Sequence, residues 1–384
     1  MKKLHLTLAL PLLALFLSPL GRSFAQDPPH EERQERFIPK LSAFGSASYN
    51  GWFDVYLLYD SIQLGGEWKL SPTLSASLRY LQDGELYFQE KVEIENNTEI
   101  RRFVDTFLQG GNGAIVFKVA EDSPWIFSLN ERVVHENAID NRYDNGLNVL
   151  SLRARHSAGE MREMSGEYHW SLKRHFSFER LNLNSYMILL SYQDDFGLDP
   201  WHMRLSLSGA YLDFPDFIVL NSASADSGEW RRDFTFGISA KMGWFFGTGW
   251  HAGCGYKFEW NDSTGDEFDA TENIFLHDYY DYRTHQLSST LEKKIDKFLY
   301  RWVNSYEYIH FPSRQARRRT GRLEREDRID NNFTTSLEAS YSIAEWWQII
   351  LNYTLKANSS TDKDLAFKLN FGTQIFTIAT SIEI

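Results

Sequence analysis

The chain has a single cysteine, Cys254, in 384 residues. An intramolecular disulfide is therefore excluded, and no cystine framework can hold the fold. Its 10 prolines and 24 glycines fall into no repeat, which argues against a solenoid. Past residue 25 no apolar run reaches the roughly 18 residues that a membrane-crossing helix needs. Basic excess is also missing: 40 Lys and Arg stand against 52 Asp and Glu, a net charge of -12. That balance disfavours a general nucleic-acid binder. No HExxH, serine elbow or Cys–His signature points to hydrolysis, and no cofactor motif is present.

The first residues read MKKLHLTLALPLLALFLSPLGRSFAQD. Lys2 and Lys3 precede an apolar run from Leu6 to Leu20, and Ser23-Phe24-Ala25 supplies small residues before Gln26. This is the pattern of a secretory signal peptide over 1–25. Pro11 and Pro19 argue against a retained anchor. Residues 26–40 are charged, proline-bearing and aperiodic, and are expected to be a flexible periplasmic lead-in. The region 41–384 is expected to be one domain.

What the chain has in abundance is aromatic residues, 15 % of the total, despite a mean hydropathy of -0.43. Alternation reconciles the two. In FTTSLEASYSIAEWWQIILNYTLK (333–356), Phe333, Thr335, Leu337, Ala339, Tyr341 and Ile343 share one face. After a break at Ala344 and Glu345, Trp347, Ile349, Leu351, Tyr353 and Leu355 point one way. A period of two marks strands with two different environments. The same beat recurs at 61–70, 73–80, 201–211 and 233–244.

Connections fall into two classes. Short ones lie at 71–72, 121–124, 245–249, 294–297 and 344–345. Long polar ones are expected at 82–111, 136–146, 213–231, 260–283, 311–331 and 357–364. Trp68, Trp125, Trp201, Trp244, Trp250, Trp346 and Trp347 gather beside the short turns, as amphipathic rings do at a membrane interface. A soluble sandwich explains the alternation but neither the girdle nor the unequal rims. In hydrocarbon, strands satisfy their backbone only by closing on themselves. The expected fold is all-β: a transmembrane antiparallel up-and-down barrel of about 16 strands, with 14 to 18 open. The apolar face then touches outer-membrane lipid.

The last residues, FTIATSIEI, place Phe376, Ile378, Thr380, Ile382 and Ile384 on one face. This resembles the C-terminal strand that the outer-membrane insertion machinery recognises, except that Ile384 stands where an aromatic is usual. Over about 340 residues the chain looks like the broad group of bacterial outer-membrane porins and barrels. That resemblance implies a non-enzymatic protein of the Gram-negative outer membrane. The leading function is a pore for small hydrophilic solutes. The alternative is a non-conducting barrel that serves in structure, export assembly or surface binding.

Taking the polar faces as inward gives a lumen wall bearing Arg79, Lys118, Arg132, Arg153, Arg155, Arg204, Lys241, Arg301 and Lys356, against Asp233, Glu307 and Glu338. Such a wall favours anions. The basic stretch with Arg314, Arg317, Arg318, Arg319, Arg322, Arg325 and Arg328 suits lipopolysaccharide phosphates. Glu324, Glu326, Asp327 and Asp330 sit beside it, so a self-neutralising solvated loop is equally open. The acidic stretch from Asp262 to Asp281 lacks the spacing of a calcium loop. His277 beside Asp278, with Glu272 and Asp281 near, loosely resembles the Asp–His arrangement of omptin proteases, though such residues co-occur by chance in a loop of this composition. Cys254 reads as a small packing residue.

Overall fold

The computed structural model describes residues 37–383, apart from 51–54, 90–92, 96–97, 101–105, 139–143, 159–161, 176–178, 195–200, 221–225, 270–273, 319–321 and 364–370. The segment 1–25 expected to be a signal peptide, most of the expected lead-in, Glu272, Arg319 and Ile384 lie outside the described residues. Phe37–Lys40, expected in the lead-in, is instead the start of the first strand.

In chain order the strands are β1 (Phe37–Asn50), β2 (Val55–Ser71), β3 (Leu74–Gln89), β4 (Glu93–Glu95), β5 (Thr98–Ile100), β6 (Thr106–Lys118) and β7 (Trp125–Ala138). Then come β8 (Asn145–Ser157), β9 (Arg162–His175), β10 (Leu183–Asp194), β11 (Trp201–Leu220), β12 (Asp226–Phe246) and β13 (Trp250–Ser263). The last are β14 (Glu267–Asp269), β15 (Ile274–Leu276), β16 (Tyr282–Ile295), β17 (Phe298–Arg317), β18 (Leu323–Ala344), β19 (Trp347–Ser360) and β20 (Phe371–Glu383). Sixteen of them close into one barrel; β4–β5 and β14–β15 are separate two-stranded hairpins in loops. Closure is made by β1 against β20, in register from Ser42↔Glu383 to Asn50↔Ile375. A closed ladder leaves no edge strand, which is the condition for crossing a bilayer with strands.

The alternation read from the sequence becomes an inside-out surface. Leu78, Leu207, Leu287 and Leu337 are large, apolar and exposed, and each is flanked by polar neighbours that face the other way, while Ile115, Ile188 and Ile378 are exposed on the same outer surface. Fully buried apolar side chains are few among the described residues, with Val134, Ala316 and Ala379 among them. A soluble domain of this length would bury its large apolar residues instead.

The two rims differ as expected. Turns at 72–73, 119–124, 247–249, 296–297 and 345–346 lie on one rim, where β1 also begins and β20 ends. Gly247 (φ 52°) and Gly249 (φ 73°) give the β12–β13 turn its left-handed backbone, and Asp296 (φ 48°) does so for β16–β17. All seven tryptophans expected at the girdle stand at this turn rim. Trp201 and Trp244 face each other in register with rings 5.3 Å apart.

On the loop rim the expected boundaries need correction. The stretches 213–231 and 311–331, expected as loops, are mostly strand: β11 runs to Leu220, β12 starts at Asp226, β17 runs to Arg317 and β18 starts at Leu323. Pairing continues past register shifts at Asp213/Ile218 and Phe311/Gln315. Cross-strand bonds and ion pairs hold these extensions, so their high charge does not prevent strand formation.

Candidate functional site: the inner wall of the barrel

Faces follow from the register. Leu78 and Tyr80 are exposed outward on β3, so Arg79 between them faces inward. The same argument places Lys118, Arg132, Arg153, Arg155, Arg204, Lys241, Arg301 and Lys356 on the inner wall, together with Asp233, Glu307 and Glu338.

Their electrostatics divide them. Arg153 lies 3.0 Å by Nε from Glu167 and 3.5 Å by a terminal nitrogen from Glu163. The Nε contact lacks the alignment of a hydrogen bond, so its attraction is ionic. Arg155 lies 3.6 Å from Glu163. Arg301 donates to Glu292 at 2.6 Å and approaches Glu338 at 3.8 Å. Arg79, Lys118, Arg132, Arg204, Lys241 and Lys356 have no ion pair among the described residues. Arg204 and Lys241 are direct partners in the β11–β12 register, and both are exposed. The carboxylates of the wall thus pair with the first set and leave the second set without an ion pair among the described residues.

The sequence reading missed other inner-wall groups. Lys40 bonds Glu67 at 2.7 Å, and Lys257 approaches Glu259 at 2.7 Å. His202 and His251 bring their Nε2 atoms to 3.4 Å at the turn rim. A signal for the last pair does exist: each histidine follows a girdle tryptophan, in Trp201-His202 and Trp250-His251, at the start of its strand.

At the loop rim the structure joins residues far apart in sequence. Arg231 bonds Asp233 through Nε at 3.0 Å, while its guanidinium lies over Phe214 (4.5 Å) and Tyr280 (3.7 Å). Tyr280 meets Tyr279 edge-on at 5.2 Å, and Arg314 lies over Tyr279 at 4.1 Å. Arg314 and Arg328 both approach Phe311, at 5.5 and 4.9 Å, and Arg328 bonds Asp330 through Nε at 3.0 Å. Alternating guanidinium and aromatic planes thus tie β11–β12, the loop 264–281 and β17–β18 together. Burial lowers the Arg314 pKa, a shift that the Tyr279 hydroxyl partly opposes.

The basic stretch is therefore not a single patch. Arg314, Arg317, Arg325 and Arg328 are strand residues, and Arg318 lies 3.4 Å from Glu324. In the acidic loop, Asp281 accepts the Ser263 N–H at 2.7 Å. Burial, reinforced by Asp278, Asp262 and Asp233, pushes the Asp281 carboxyl up to about 6, although that hydrogen bond opposes the shift. His277 pairs with Asp266 at 3.2 Å. Cys254 is exposed on the outer face, paired with Met242 and Ser289.

No family model matches the sequence, and no curated protein does. Solved structures do match. The Acinetobacter baumannii protein OccAB1 superposes with a TM-score of 0.51 at 11 % identity, over 93 % of this chain and 99 % of that one. The fold is that of bacterial outer-membrane barrels. Pseudomonas aeruginosa OpdK, solved with vanillate, gives 0.49 at 10 % identity over 91 % and 99 %. A loop-deletion mutant of OmpT, an outer membrane protein of Vibrio cholerae, also gives 0.49 at 10 % over 91 % and 99 %. The closed sixteen-strand barrel, its apolar exterior and its unequal rims fit the outer membrane.

Proposed function

We propose that this barrel is a passive outer-membrane pore for small hydrophilic solutes, with an anion preference set by its inner wall. The observation that carries the reading is the state of that wall. Inward-facing Asn112, Arg132, Arg204, Lys241, Gln348 and Lys356 are exposed to solvent. A barrel filled by its own side chains would bury these positions. Ser165–Ser191, Ser48–Thr377 and Ser336–Thr354 hydroxyl pairs line other parts of the wall, a surface suited to water. Six cations without ion pairs then bias permeation, because wall charges act at short range on a confined ion. No step of this function requires catalysis or a cofactor. Export would follow from the segment 1–25, and insertion from Phe376-Ile384.

Liposome swelling tests the pore directly. Vesicles carrying the refolded, heat-modifiable full chain should swell in isotonic small sugars, faster for smaller ones. Folded protein that leaves vesicles osmotically tight would contradict it.

A further inference from the structure

At the turn rim two histidines from non-adjacent strands converge over the strand between them. His202 is the second residue of β11 and His251 the second of β13; β12 lies between. Their Nε2 atoms are 3.4 Å apart. Inward-facing Gly243 of β12 makes this convergence possible. A Cβ there would overlap the His202 ring and lie 2.7 Å from His251 Nε2. Phe245, also facing inward, packs on both rings, with centroids 5.6 Å from His202 and 4.8 Å from His251. On the far side of the His251 ring, Nδ1 faces Glu292 at 3.6 Å. Arg301 holds that carboxylate at 2.6 Å.

We infer that His202 and His251 form a tetrahedral transition-metal site at the turn-rim mouth of the barrel, suited to Zn²⁺. Two imidazole nitrogens at Zn–N of about 2.0–2.1 Å and a tetrahedral angle are about 3.3–3.4 Å apart. The ring centroids, 5.1 Å apart with planes 20° from parallel, also fit two rings meeting one ion edge-on, for which about 5.2 Å is expected. A carboxylate beside the remote nitrogen helps to orient a metal-binding histidine; here Glu292 acts at 3.6 Å through its charge, not through a hydrogen bond. It favours the tautomer with hydrogen on Nδ1 and a free lone pair on Nε2 of His251. Coordination through both Nε2 atoms would require the donor ring of the present hydrogen bond to change tautomer, its hydrogen moving from Nε2 to Nδ1 of the same ring through solvent. Two coordination positions stay open to water or a small anion, so the site is reversible rather than structural.

The inference does not rest on the pore reading, and its first readout is binding. The refolded full chain, checked for heat-modifiability, is titrated with Zn²⁺ by calorimetry and with Co²⁺ by visible absorption. One reversibly bound Zn²⁺ per chain is expected, with intense tetrahedral Co²⁺ bands that Zn²⁺ displaces. His202→Ala and His251→Ala should each weaken binding at least tenfold, and Glu292→Gln should weaken it less. Gly243→Ala should abolish the Co²⁺ bands while both histidines remain. Absence of one-to-one binding, octahedral Co²⁺ spectra, or binding that survives in the double histidine variant would each overturn the site and leave a simple His–His hydrogen bond.

Discussion

Arg204 and Lys241 stand directly opposite each other in the β11–β12 register, both on the inner wall, both exposed, with no ion pair among the described residues. Like charges at paired positions cost a barrel stability, about 0.2–1 kcal/mol. Their exposure to solvent keeps the cost near the lower end.

Neutralising that pair should reduce anion preference. A wall charge about 7 Å from a permeating ion is worth roughly 0.6 kcal/mol in water, near a threefold factor. Arg204→Ser with Lys241→Ser should lower the anion-to-cation permeability ratio by about threefold or more, read as a shift in reversal potential under a salt gradient. Arg153→Ser should move it the same way but by less than the double variant, because it removes one charge instead of two and leaves Glu163 and Glu167 less compensated.

Arg231 should matter for stability rather than selectivity. Its guanidinium pairs with Asp233, which is only 3 % exposed, and stacks against Phe214 and Tyr280. Arg231→Ala leaves a buried carboxylate without this partner, at a cost of about 3 kcal/mol or more. Arg231→Lys should recover only part, since an ammonium cannot stack or fork. Urea unfolding followed by loss of heat-modifiability reads both.

The loop 264–281 should tighten in mild acid. Asp281 has a carboxyl pKa raised to about 6 in the folded protein, above the usual value of about 3.9. Between those values the folded state holds a proton that the unfolded state releases, so stability falls as pH rises through that window. Protection factors of the amides at 263–266 and 278–281, corrected for the intrinsic pH dependence of exchange, should therefore be higher at pH 5 than at pH 7.5. Asp281→Asn should remove the difference.

Two glycines should tolerate no side chain. A Cβ on Gly65 would overlap the Leu78 carbonyl, and one on Gly110 the Val133 carbonyl. Gly65→Val and Gly110→Val should cut the yield of folded barrel sharply, whereas Gly209→Ala, with open space around its Cβ position, should refold normally.

Much of this architecture was legible in the sequence because a bilayer imposes one rule everywhere. Leu205, Leu207 and Tyr211 alternate with Arg204, Ser206 and Ser208 whatever the strand pairs with. The girdle residues Trp201, Trp244 and Trp250 mark the turn rim for the same reason. Beyond the membrane the rule lapses. Arg325, Glu326, Asp327 and Arg328 carry no apolar beat, so the outer ends of β17 and β18 read as loop although pairing continues. An inward direction for Arg153, Arg204 and Arg301 was an expectation that the alternation made readable. Which of them keeps its charge was not, because Glu163 and Glu292 reach them only through the register. The convergence of His202 and His251 depends on Gly243 in the strand between, a relation that no linear spacing expresses.

The most direct test of the pore is single-channel recording of the refolded full chain in planar bilayers under a salt gradient. Steady conductance steps with a reversal potential on the anion side are expected, moving toward zero in the Arg204→Ser, Lys241→Ser variant. A demonstrably folded barrel that passes no current would contradict the pore and turn attention to the arginine–aromatic surface at the loop rim.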